Sequence, residues 1–180
     1  NDTVINDKRT LQKLFLILQK NKKIGILSPC SKKWGENKLL KKNSIKFSWY
    51  IHNHAYLLNK DFLLKIINYS SGYKNFLYDG SNFRGYGLES ELIAKAYANN
   101  FAAAITNKVY LEENEKYLLN HDDLIKTDSY SKNLELYYKE GLRWMKKKYG
   151  FNNKWLLQNY VKLFYDDFFI NNPEYEKYKI

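Results

Sequence analysis

Two glycines and two carboxylates stand together in FRGYGLESEL, residues 83–92. Gly85 and Gly87 permit backbone angles that other residues resist, and they leave room for a ligand to approach the chain. The apolar pattern from Leu88 predicts a helix over 88–99, whose first-turn N–H groups and partial positive charge favour ionised carboxylates at Glu89 and Glu91. A carboxylate held in that form can accept a proton from a hydroxyl. Glutamates at a helix start equally serve the helix alone, so the local pattern leaves both readings open. The three histidines, His52, His54 and His121, are too few for a multi-histidine metal site. His52 and His54 would share one face of a strand, where they read as a structural pair. Cys30 is the single cysteine, which excludes an internal disulfide, and it reads as an inert thiol.

These residues need elements to hold them. Residues 7–22 carry Leu11, Leu14, Phe15 and Leu18 at helical spacing, and KIGILS at 23–28 reads as a strand. Residues 29–44, interrupted by Pro29 and Gly35, read as an exposed loop. Alternation through Phe47, Trp49, Ile51, Ala55 and Leu57 predicts one strand reaching Leu58, followed by a helix capped by Asn59. A turn-rich stretch leads to the helix at 88–99, and FAAAITNKVYLEE at 101–113 reads as a strand. The alternation of helices and strands predicts an α/β layer architecture. From Ser131 the pattern is helical only. Leu134, Tyr137, Tyr138, Leu142, Met145 and Tyr149 define one face, ended by Gly150, and a second helix spans 153–169.

The chain has 180 residues, 44% of them hydrophobic, which suits one folded unit. No apolar run has the length of a membrane span, and the expectation is a cytoplasmic protein, in peripheral contact with a membrane surface at most. The formal net charge is +11, yet only Arg9, Arg84 and Arg143 are arginines among 30 basic residues. A reader of nucleic acid concentrates arginine where bidentate contacts are made, so no specific nucleic acid is expected. The basic run at 143–150 reads as a solvated face.

The segment FRGYGLESELIAKAYANNFAAAITNKVYLEEN, residues 83–114, resembles the part of family 2 inverting GT-A glycosyltransferases in which a Gly-rich aromatic turn leads to an acidic pair, a helix and a strand. NDTVIND at 1–7 is similar to the end of that family's acidic metal-binding motif, and KIGILSP and HAYLLNKDFLLKI follow in the family's order. The resemblance implies a GT-A-like mixed sheet flanked by helices, with residues 1–125 forming the C-terminal part of the domain and 126–180 a helical hairpin packed on it. The nucleotide-binding half would precede Asn1.

The resemblance also implies roles. Glu89 takes the place of the general base and Glu91 of its supporting acid; Arg84, Gly85, Tyr86 and Gly87 shape the donor pocket, and Trp49 and His54 join the acceptor wall. Asp2 matches the ligand of a divalent cation, Mg²⁺ or Mn²⁺. Where the family often carries a metal-ligating histidine, this chain has Glu112 and Glu113, and whether Glu112 or His121 completes the site stays open. The implied reaction transfers a sugar from a nucleotide-diphosphate donor to a saccharide, lipid-linked or protein acceptor, with inversion. The alternative from the residues alone is a non-catalytic, basic, aromatic-rich domain that binds nucleic acid or protein.

Overall fold

In the computed structural model the chain is described over residues 3–5, 7–31, 35–52, 54–67, 81–114 and 130–180. Its elements are β1 (Thr3–Val4), α1 (Thr10–Lys20), β2 (Ile24–Cys30), α2 (Glu36–Leu39), β3 (Ile45–Phe47), β4 (Leu57–Leu58), α3 (Lys60–Ile66), α4 (Leu88–Ala98), β5 (Ala102–Tyr110) and β6 (Glu112–Glu113). Two long helices follow, α5 (Tyr130–Tyr149) and α6 (Lys154–Asn171), and a 3₁₀ turn over Pro173–Tyr178. The protein is α/β, with a four-stranded mixed sheet in the order β3-β5-β2-β4 and a separate β1-β6 ribbon.

The sheet is built on β2 and β5, which run parallel, while β3 and β4 pair antiparallel at the edges. A central parallel strand is covered on both faces and so reads as unbroken apolar sequence. All seven residues of β2 are accordingly buried. The strand extends beyond the expected 23–28 through Pro29 to Cys30. A register shift between Pro29 and Cys30 relieves the ladder at the residue that has no N–H to donate.

Further differences from the sequence expectation have local causes. The expected strand to Leu58 breaks after Phe47, because Ser48 Oγ donates to Tyr50 O at 2.6 Å and accepts from Tyr50 N at 3.0 Å. Such side-chain bonds offer the backbone an alternative to the ladder. His52 and His54 therefore share no strand face. The loop at 29–44 contains the single-turn helix α2. On α1 the buried face is Leu14, Ile17 and Leu18, with Leu11 and Phe15 exposed, and on α5 it includes Trp144 and Met145, with Leu134, Tyr138 and Leu142 toward solvent. Gly150, at φ 75°, ends α5 as expected.

Helix α6 shares the main core, whereas Trp144 and Met145 of α5 form a second cluster with Leu88 and Leu157. Val161, Tyr165, Phe168 and Phe169 of α6 belong to the same core as Ile24, Ile26 and Leu27 of β2 and Leu92 and Ile93 of α4. Phe168 meets Phe47 edge-on at 6.1 Å between ring centroids, and Lys179 forms a parallel bridge with Phe47 at the sheet edge. The boundary expected near residue 125 lies outside the described residues.

Burial gives this core an alkaline limit. It holds the Tyr97 hydroxyl well above the usual phenol range and raises Tyr137, and it pushes Tyr165 up to about 12. The unfolded chain ionises such phenols near pH 10. Their contribution is thus complete below about pH 10 and is lost as pH rises through the higher folded values. The urea midpoint is expected to hold steady between about pH 8 and 9.5 and to fall above about 10. A midpoint that stays unchanged up to about pH 11 would contradict this.

Candidate functional site

The first wall of the site is the turn at the end of β3. Ser48 N donates to Ala103 O at 2.9 Å, and the Tyr97 hydroxyl lies 2.9 Å from Ser48 O and 3.0 Å from Ala103 O. Together with the Ser48 hydroxyl these bonds fix Trp49 and Tyr50 against α6, where Trp49 meets Tyr165 edge-on at 5.1 Å.

The second wall is the glycine turn. Asn82, 3% exposed, bridges it: its side chain donates to Tyr86 O at 3.0 Å and accepts from Gly85 N at 3.1 Å. Gly85 and Gly87 both sit at φ 85°, in the left-handed region that L side chains avoid. The turn hands the chain to α4 with Glu89 in its first helical turn. Tyr86 packs edge-on against Tyr137 and Tyr138 at 4.9 and 5.0 Å. Gly141 makes this possible, since a Cβ there would lie 2.5 Å from Tyr86 Cβ.

The third wall is the start of α6. Asn153 caps it, accepting from Leu156 N at 3.0 Å, and Lys154 is its first residue. Lys154 Nζ lies 2.6 Å from Glu89 Oε1, and the two side chains are 22% and 3% exposed. The ammonium is also 5.0 Å from the Tyr86 ring centroid and 5.8 Å from that of Tyr50. Burial works against its charge, but the Glu89 carboxylate outweighs this and holds Lys154 above the ordinary lysine value. Glu89 Oε2 is buried without a hydrogen-bond partner, an uncommon state for a carboxylate oxygen.

The walls enclose an open cleft of about 510 Å³ lined by Ser48, Trp49, Tyr50, Tyr86, Lys154, Trp155, Gln158, Leu39 and Ile180. Aromatic faces with a few convergent polar groups are what a ligand pocket needs. The Glu89–Lys154 pair stands at its back, with Lys154 on the cleft surface and Glu89 behind it. The arrangement can stack a flat apolar face on rings and donate from an ammonium and an amide, while the Glu89 carboxylate lies buried behind Lys154 and does not itself line the cleft.

The residues expected from sequence distribute unevenly around this cleft. Trp49 and Tyr86 line it, and Glu89 stands behind. Arg84 faces α5 instead, with its N–H and guanidinium on Glu140 at 2.9 and 2.8 Å and its Nε on Asn133 at 3.1 Å. Glu91 pairs with Lys148 at 2.7 Å and Lys95 at 3.4 Å, not with Glu89. His54 is not among the cleft-lining residues; its carbonyl accepts from the Thr3 hydroxyl at 3.0 Å. Asp2 and His121 lie outside the described residues. The strand leaving Asp2 can be placed, since Thr3 pairs with Glu113 and Val4 with Glu112. Among the described residues no three potential ligands cluster into a metal site.

Sequence reasoning missed Lys154, Tyr50, Trp155 and Gln158. One signal was present: Lys154 opens a helix, the end where the dipole disfavours a cation. Such a lysine implies an anionic partner from elsewhere in the fold, here Glu89. Comparison of the chain with protein-family models, with curated proteins and with solved structures finds no match.

Proposed function

We propose that the cleft is the acceptor side of a GT-A-type inverting glycosyltransferase, in which Glu89 is the base that takes the acceptor hydroxyl's proton. The observation that carries this reading is the Glu89–Lys154 ion pair, whose lysine lines the aromatic cleft while the second Glu89 oxygen is buried behind it without a hydrogen-bond partner. A saccharide stacks its apolar face on Trp49, Tyr86 or Trp155 and directs a hydroxyl toward that unpartnered oxygen. For transfer, the Lys154 ammonium shifts toward the cleft to admit the hydroxyl. Glu89 accepts the proton as the oxygen attacks the anomeric carbon, and the nucleoside diphosphate leaves from the opposite face. The sugar–phosphate bond breaks as the new glycosidic bond forms, giving inversion.

The sequence resemblance adds a divalent cation, Mg²⁺ or Mn²⁺, whose oxygen-donor preference suits carboxylates. Asp2 would hold it, and Glu112 is the described carboxylate on the strand paired to β1. When bound, such an ion neutralises charge on the leaving diphosphate. A second reading rests on the same ion pair: if Lys154 never releases Glu89, the cleft binds saccharide without turning it over.

Both readings require the cleft to take sugar. Titration with maltohexaose and with chitotetraose is expected to shift the tryptophan emission of the wild type, and Trp155→Ala should lose most of that shift. Emission unchanged by every oligosaccharide, or an equal response in the variant, would remove the cleft from consideration.

A further inference from the structure

The mouth of the cleft has a composition that sugar binding alone does not call for. Leu39 and Trp155 line the cleft, yet they are 63% and 76% exposed, so both project past its rim. Leu163, further along α6, is likewise 68% exposed. Lys38, Lys41 and Lys42 are exposed on either side of Leu39, in a chain whose formal net charge is +11. A large tryptophan and a leucine directed outward, next to a lysine cluster, match the two requirements of an anionic lipid surface. These are apolar side chains to enter the headgroup layer and cations to face its phosphates.

We infer that the rim of this cleft docks on an anionic lipid bilayer, so that the acceptor saccharide comes to the cleft on a lipid. The inference rests on the reading of the cleft as an acceptor site and names where that acceptor is found. In the docked state Trp155 and Leu39 lie at headgroup depth, the three lysines meet lipid phosphates, and the cleft opens toward the membrane surface. A sugar attached to a lipid reaches Trp49 and Tyr86 while its apolar portion stays in the bilayer. The lysines provide the selection for anionic lipid, each contributing about a fivefold gain in binding.

The test is co-sedimentation of the protein with vesicles of phosphatidylcholine alone or mixed with phosphatidylglycerol, with brominated lipid as a depth-sensitive quencher of tryptophan. Wild type is expected to bind the mixed vesicles and to be quenched. The triple variant K38A/K41A/K42A should bind them about a hundredfold more weakly. Trp155→Ala should lose most of the quenching. All four positions are exposed, and circular dichroism checks that the fold is kept. No binding, equal binding to both vesicle types, or binding that the variants leave unchanged overturns the inference. Preference for a single-stranded oligonucleotide over the vesicles does so too. An oligosaccharide response without vesicle binding sinks the docking alone, whereas vesicle binding without any oligosaccharide response sinks the acceptor reading and leaves the docking standing.

Discussion

Lys154→Met is expected to lower the unfolding free energy by about 3 kcal/mol, a large effect for a residue on the wall of an open cleft. The reason is what it leaves behind. Glu89 is 3% exposed, and Lys154 at 2.6 Å is its ion-pair partner, while the second carboxylate oxygen already has no hydrogen bond. Removing one member of a buried pair strands the other charge, which costs more than the pair contributes. The partial exposure of Lys154 places the effect at the lower end of the range for such pairs.

The double variant K154M/E89Q should regain about 2 kcal/mol, because the stranded charge is gone and the amide is tolerated more readily. Glu89→Gln alone should cost only about 1 kcal/mol, since the released ammonium can turn toward the open cleft and be hydrated. Urea unfolding of the three variants and the wild type closes the cycle. Additive losses, with no recovery in the double variant, would show that the two side chains do not depend on each other and that the pair is not maintained in solution.

How much of this site was legible in the sequence depends on whether its causes are local. The turn at Gly85–Gly87 and the helix from Leu88 were readable because positive φ at glycine and acids in a first turn are properties of a few consecutive residues. The central strands β2 and β5 were readable for a similar reason, as buried parallel strands leave long apolar runs. The break of the sheet at Ser48 was not, because alternation continued past it and the competing hydroxyl bonds to Tyr50 involve a residue with no special pattern of its own.

The expected face of α5 was right in part: Met145 is buried and Tyr137 and Tyr138 pack on a ring more than fifty positions upstream, Tyr86, but Leu134 and Leu142 are exposed and Trp144 is buried instead. Gly141, which looks like a weak point in the middle of a helix, is the residue that admits that ring. Arg84 and Glu91 carried suitable chemistry by type, but each is engaged elsewhere by a residue of α5, Glu140 and Lys148. Side-chain type and spacing thus identified the turn and its two acids, whereas the identity of their partners was a tertiary property.

The division between Glu89 and Glu91 leads to the sharpest functional expectation. Both are buried in the first turns of α4, at 3% and 8% exposure, and a motif alone cannot rank them. Glu91 is satisfied by Lys148 and Lys95 and borders a separate small cavity lined by Tyr149, Tyr160 and Phe164. Glu89 is the acid whose partner lines the aromatic cleft and whose second oxygen lacks a donor. With nucleotide sugar and acceptor supplied, Glu89→Gln is therefore expected to lower kcat by about a thousandfold with little change in KM. The amide keeps the shape of the cleft but cannot accept a proton from a neutral hydroxyl. Glu91→Gln should lower stability instead and change kcat by less than about fivefold. Retention of wild-type turnover by Glu89→Gln, with its fold intact by circular dichroism, would exclude this carboxylate as the base and leave the cleft as a binding surface.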